Sequence, residues 1–437
     1  MDSTASLAPA IPAPADSADS ELEEAAHFLL LVGRLLLGDG ADSEQVATTV
    51  DQLAAVLGFE ARLVVTYETL MLTLIRGDRF RTKAGRHLPS LGVNMRAVEA
   101  IGQIVTDLTA GRMPLQQAAE QLAAVERGVR AYPPLLVVGG MAVTTACLAR
   151  LFGGDTLSCV VALLAGGLGT ALRLHLARRA ANPFVVAFLT ALVSGLVGAL
   201  GLRFVTPATP DLCIIAPSMI IVPGVPLING IWDCVRNHMS LGLARLSAAL
   251  LTTLAIATGL FCVTVATSVE VPVGSKLGLL PLPQDAAVAG VAAIGFALLF
   301  NVPPRLVWAA MLCGAVSHCL RTGVMMLGVA LWPATLVGAT GAGILALGLA
   351  WRFRVPPAAF AFPGVVAMVP GAFAFRAVIG SLRIVEAGAD ADPRLVGQTI
   401  SLMFGCALTM GAIAIGLAVP LAFLPTLMQR GVPGKSR

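Results

Sequence analysis

The sequence predicts an α-helical integral membrane protein. About ten transmembrane helices form two inverted five-helix repeats, with broken helices in the fourth and ninth spans, behind an N-terminal soluble α+β domain. Three observations predict this. Of the residues, 57% are hydrophobic and 12% charged, whereas soluble domains carry about 25% charged residues. From Pro133 the chain is almost continuously apolar, in segments near the ~20 residues that cross a bilayer. Two of those segments contain prolines and glycines that forbid an unbroken helix.

The chain divides into a disordered lead-in (1–20), an N-terminal cytoplasmic α+β domain (21–132), transmembrane repeat 1 (133–280) and transmembrane repeat 2 (281–437). The lead-in is rich in Ala, Pro, Ser and Asp, without the basic start or apolar core of a signal peptide. Glu21 to about Gly38 reads as an apolar-faced helix. Asp42 or Ser43 caps a second helix, with Val46, Val50, Leu53 and Leu57 at helical spacing and Gly58 closing it. Arg62–Ile75 is β-branched and apolar, and Gly77-Asp78 turns it into Arg79–Lys83, a hairpin or small sheet. Helices at roughly Met95–Thr109 and Pro114–Arg130 follow. The basic run Arg76, Arg79, Arg81, Lys83 and Arg86 fits either a solvated hairpin face or contact with anionic lipid or an acidic ligand.

The apolar segments are approximately 134–152, 156–174, 183–202, 212–231, 240–268, 286–300, 304–320, 323–350, 357–379 and 397–425, the eighth with a bend at Pro333. With the N-terminal domain inside, the inner loops and tail hold Arg173, Arg178, Arg179, Arg236, Arg245, Arg305, Arg352, Arg354, Lys435 and Arg437. The outer loops hold fewer basic residues, Lys276 and Arg321 among them, so both termini are expected in the cytoplasm of a bacterial inner membrane. Net charge of +4 is explained by this bias and calls for no nucleic-acid partner. All eight cysteines lie in the apolar part without a CxxC pair, which favours packing roles over a metal site or disulfides. No phosphate-binding GxxxxGK[ST] loop is present, which argues against ATP drive. The N-terminal domain has no cysteine, and its His27 and His87 stand alone, which argues against an enzyme.

Ala216–Asp233 is apolar yet carries Pro217, Pro223, Gly224 and Pro226. Each interior proline costs a helix roughly 3 kcal/mol. Membrane proteins tolerate such breaks only where protein or a water-filled cavity satisfies the freed backbone, and transporters bind cargo at them. Val222-Pro-Gly-Val-Pro-Leu-Ile-Asn229 aligns without a gap on Val369-Pro-Gly-Ala-Phe-Ala-Phe-Arg376, matching Pro223 with Pro370 and Gly224 with Gly371. Breaks in the fourth and ninth segments make each repeat five helices long. An odd count inverts the second repeat.

The expected substrate-binding residues are Pro223, Gly224, Pro226, Asn229, Asp233, Pro370, Gly371 and Arg376. The half-helix after Pro223 directs its positive end at a carboxylate, and Asn229 orients the ligand. Asp233 holds a substrate amine or carries the coupling proton, with His238 beside it; otherwise Asp233 and Arg236 form an interfacial ion pair. The remaining acids of the apolar half, Asp155, Asp211, Glu270, Asp285, Glu386, Asp390 and Asp392, sit in or beside predicted outer loops. Arg376 is either a counter-charge to a carboxylate or a residue snorkelling to the outer surface. His175, His238 and His318 have no ligand partners at metal spacing, and no cofactor is expected.

Three stretches resemble the threonine/serine exporter family. They are Gly40-Ala-Asp-Ser-Glu-Gln-Val with Leu57-Gly-Phe and Gly92-Val-Asn-Met; the proline-broken Pro223 to Asp233; and Pro363 to Gly371. The resemblance implies a ten-helix inner-membrane exporter of small amino acids driven by proton antiport. Split relatives are linked to dicarboxylate (succinate) export, which is the alternative substrate class. Where the family often has a hydroxyl-bearing aromatic residue after the second element, this chain has Phe373, Phe375 and Arg376. A membrane receptor signalling through the N-terminal domain is the rival outside transport. Expected partners are the small-molecule substrate, protons and membrane lipid, and a homo-oligomer is compatible with the sequence.

Overall fold

The computed structural model describes residues 17–85, 93–179, 181–269, 271–274, 278–353 and 355–430. Expectations for residues 1–16, Arg86, His87, Gly92, Glu270, Lys276, Arg354, Lys435 and Arg437 lie outside that set.

The N-terminal elements are α1 (Ser17–Gly38), α2 (Ser43–Val56), β1 (Glu60–Val65), β2 (Leu70–Arg76), β3 (Arg79–Ala84), α3 (Met95–Thr109) and α4 (Leu115–Arg127). Asp42 caps α2 by accepting from the Gln45 N–H at 2.9 Å, which supplies a partner for one of the orphan donors at the helix start. The three strands form an antiparallel sheet in the order β1-β2-β3, with Leu63 opposite Leu72 and Leu72 opposite Lys83. Alternation along β2 points Leu70, Leu72 and Leu74 into one core shared with α1 to α4. The basic edge of the sheet is engaged with α1: Arg76 meets Glu21, and Arg81 and Lys83 both meet Glu23.

The rest of the described chain is helical: α5 (Pro134–Leu151), α6 (Thr156–Ala177), α7 (Pro183–Gly201), α8 (Pro210–Met219), α9 (Gly224–Val235), α10 (Met239–Thr267), α11 (Leu282–Leu299), α12 (Val307–Met326), α13 (Leu331–Phe353), α14 (Ala358–Val366), α15 (Gly371–Ala387) and α16 (Pro393–Arg430). Among the described residues, 8 helices are long and apolar enough to cross a membrane, or up to 10 with α8–α9 and α14–α15 each counted as one bent span. This is consistent with an integral membrane protein. Along α6 the exposed Leu157, Val160, Leu164 and Leu168 recur at helical spacing, as a face toward lipid requires. Exposed Trp308, Trp332 and Trp351 lie near helix ends, where amphipathic rings suit the membrane–water boundary.

Two expectations change. Residues 323–326 close α12, and Gly328 turns the chain at φ 86° before α13 begins. Pro333 then falls in the first turn of α13, where a missing N–H has no carbonyl to serve, so it introduces no bend. The second change concerns arginines: Arg173 and Arg245, expected in inner loops, lie within α6 and α10. The apolar segments 156–174 and 240–268 already span both positions, and a helix continues through a charge that a neighbour or a cavity accommodates.

Candidate functional site

Each broken span turns on a proline in the same backbone conformation. Pro223 lies at φ −77°, ψ 63° and Pro370 at φ −78°, ψ 49°. In each, the following glycine N–H bonds two residues back, Gly224 to Val222 O and Gly371 to Val369 O, both at 2.8 Å. These are inverse γ-turns. They bend α8 against α9 by 58° and α14 against α15 by 50°.

The two turns pack on one another reciprocally. A Cβ on Gly224 would meet the Val369 side chain at 3.3 Å, and one on Gly371 would meet the Val222 side chain at 2.9 Å. Glycine leaves room for the partner's valine at both, more tightly at Gly371 than at Gly224.

Beside the first turn lies a cavity of about 880 Å³. Its walls come from the C-terminal ends of α6 and α11, the start of α7 and the first half of α10, and Tyr67 and Val93 also line it. Pro223, Gly224 and Pro226 line it, as do Arg173 and Arg245, while among the described residues no Asp or Glu does. The second break contributes Val366, and Pro370 and Gly371 stay behind it, buried against the first turn.

Asn229 and Asp233 are directed away from the cavity lining. The α9 face that carries them meets the N-terminal elements: Asn229 Nδ2 donates to Gly40 O at 3.3 Å, and Ser43 Oγ donates to Asp233 at 2.5 Å. Asp233 is fully buried and its second oxygen accepts from Arg245 at 2.7 Å. Arg236 pairs instead with Asp42, the α2 cap, at 3.0 Å. The Asp233–Arg236 pair expected from i+3 spacing is therefore replaced by two longer-range pairs, because α2 and α10 bring closer partners. His238 starts the turn into α10, and its backbone N–H bonds Asp233 O at 2.8 Å.

Arg376 is buried and donates to Asp211 at 2.6 Å, joining α15 to the start of α8. Asp285 is likewise buried and 2.7 Å from His318, whose other ring nitrogen meets Arg321. Both acids, expected in or beside outer loops, sit in the first turn of the helix that follows, where the positive helix end suits a carboxylate. Periodicity shows the position but not the distant partner that buries it. Among the described residues no group of three or more His, Cys, Asp or Glu could share a metal ion.

The N-terminal elements touch the membrane helices elsewhere too. Met95 N–H bonds Phe300 O, and Asn301 donates to Asn94 Oδ1, both at 2.9 Å. Asn94 N–H in turn bonds Asp39 O. Burial pushes the Asp39 carboxyl up to about 6, against a side-chain hydrogen bond from Asn94 that lowers it.

Residues 27–268 match the family described as "Putative threonine/serine exporter", and residues 285–423 match a second one, "Threonine/Serine exporter, ThrE". A Mycobacterium tuberculosis protein named "Probable threonine/serine exporter" is 24% identical over 91% of this chain and 79% of its own. Proteins of Klebsiella aerogenes and Escherichia coli, each named "Probable succinate transporter subunit YjjP", are 28% and 29% identical over 55% and 52% of this chain, and over 93% and 88% of theirs. No solved structure matches the chain.

Proposed function

The chain belongs to the threonine/serine exporter family, and from that premise we propose that it is a secondary transporter exporting small amino acids, threonine- or serine-like, by proton antiport. The observation that carries this reading is the cavity of about 880 Å³ ending at the Pro223–Pro226 break. It is large enough for a small solute and its waters, and it meets irregular backbone, the usual setting of a midplane cargo site.

In this reading residues 21–132 form a cytoplasmic domain, 133–280 and 281–437 are inverted repeats, and both termini face the cytoplasm. Matched γ-turns with reciprocal valine–glycine contacts support the repeat. The cavity then opens inward, while the buried Asp211–Arg376 pair closes the outer side. Pro223, Gly224 and Pro226 meet the substrate, with Pro370 and Gly371 as the moving wall behind them. Asp233, held between Ser43 and Arg245 with His238 at its C-terminal side, takes the coupling proton when the cycle separates it from Arg245.

The dicarboxylate reading has an observation of its own: among the described residues, the cavity lining holds two arginines and no acid. Counterflow in proteoliposomes, with and without a pH gradient, tests both using labelled threonine, serine and succinate. Threonine or serine exchange that accelerates when protons flow inward supports antiport of amino acids. Exchange of succinate alone transfers the reading to dicarboxylates, and exchange of none of them in vesicles of the purified protein removes the transport reading in favour of a receptor.

A further inference from the structure

Among the described residues two arginines line the cavity, and they are not equivalent. Arg245 is committed to Asp233 at 2.7 Å. Arg173 has no hydrogen bond, ion pair or ring contact with any described residue, although it lines both the main cavity and a side chamber of about 10 Å³ beyond it. The chamber, with room for about one water, is also lined by Thr190, whose buried hydroxyl has no partner among the described residues. A guanidinium kept within a bilayer-spanning helix without a counter-charge is costly and marks a ligand path.

A second feature faces the same space. In the first turn of α9, the Gly224 N–H closes the γ-turn, Pro226 has no N–H, and Leu227 bonds Pro223 O. Among the described residues the Val225 N–H is thus the open donor at the positive end of a twelve-residue helix. Arg173 and Val225 line one cavity.

We infer that Arg173 is the carboxylate anchor of this cavity, assisted by the α9 N-terminus at Val225. The inference rests on the cavity being the cargo site. Its ligand is a small molecule bearing a carboxylate, the group that an amino acid and a dicarboxylate share. Planar bidentate pairing with a carboxylate is what a guanidinium does best. The side chamber leaves a water and the Thr190 hydroxyl to complete the anion's hydrogen bonds. An arginine that merely snorkels from the end of α6 would add helix solubility and no preference between a carboxylate and its amide.

The test measures binding separately from transport. Thermal stabilisation of the purified full-length protein is titrated with L-threonine, succinate and the amides that lack their carboxylates, L-threoninamide and succinamide. Wild-type protein should be stabilised by at least one carboxylate and by neither amide. Arg173→Gln should raise the half-saturating concentration at least about ten-fold, the loss expected for a charge-assisted hydrogen bond. Arg173→Lys should recover part of it. Ala177→Glu, one turn further along α6 on the same cavity, should reproduce the loss by supplying Arg173 with an internal carboxylate. It guards against an Arg173→Gln protein that does not fold. Carboxylate affinity left unchanged by Ala177→Glu or by a folded Arg173→Gln overturns the anchor, and so does equal stabilisation by acid and amide. Carboxylate stabilisation that Arg173→Gln abolishes, in a protein that catalyses no counterflow, removes the transport reading and keeps the anchor. Which carboxylate stabilises the wild type separates amino acid from dicarboxylate.

Discussion

At the scale of single residues, the buried Asp233–Arg245 pair governs what substitutions report. Removing one partner leaves an uncompensated buried charge, which costs about 3–5 kcal/mol, whereas neutralising both removes most of the penalty. Arg245→Gln alone is therefore expected to lower the melting temperature in detergent well below that of Asp233→Asn/Arg245→Gln. Equal melting of the single and double variants would show the pair to be uncoupled. The double variant is also the clean test of proton coupling: it should be folded, retain counterflow and lose acceleration by a pH gradient. Asp39 supplies a pH dependence. Its folded carboxyl titrates near 6 against 3.8 ordinarily, so the folded state binds more protons than the unfolded chain between those values. Stability from the neutral form is complete below about 3.8 and lost as pH rises through about 6. Asp39→Asn should flatten that decline in melting temperature between pH 4.5 and 7; an unchanged slope would assign it to another group. None of these partners was legible from spacing. Ser43 lies 190 residues from Asp233, and a charge's position in an apolar run says that it needs a partner, not which one arrives.

At the scale of elements, the sequence was more informative. Prolines and glycines at matched positions announced both breaks, because the missing N–H and fixed φ of proline act locally. What they did not announce is the γ-turn at each, nor that Val222 and Val369 fill one another's glycine notches. Gly371→Ala places a methyl 2.9 Å from the Val222 side chain, while Gly224→Ala meets Val369 at the looser 3.3 Å. Gly371→Ala should be the more damaging of the two, by roughly 1–3 kcal/mol for overpacking, with Val222→Ala restoring part of the loss. A measured order with Gly224→Ala worse would contradict the packing. Helix ends were read least well. The positive-inside tally assigns Arg173 and Arg245 to inner loops although both fall within the apolar segments 156–174 and 240–268, and α6 and α10 carry both inside a helix along a cavity wall.

At the scale of the whole molecule, the N-terminal elements are fastened to the membrane helices by Asp42–Arg236, Ser43–Asp233, Gly40–Asn229 and the Asn94–Asn301 contact. Replacing Arg236 by Ala together with Ser43 by Ala should raise amide hydrogen exchange at the start of α2 and in α9. Unchanged protection would mean the remaining contacts suffice. This fastening joins segments far apart in the chain, so periodicity and composition carry no trace of it. The reciprocal turns have a further consequence, for how the molecule can be divided. Each half of the chain carries a notch and the peg that fits the other half's notch. A polypeptide ending between α10 and α11 presents Gly224 with no Val369 to cover it, and the second half presents Gly371 with no Val222. Expressed separately, the two fragments should be cleared from the membrane. Expressed together, they should protect one another and co-purify, and truncating both valines to alanine should weaken that rescue.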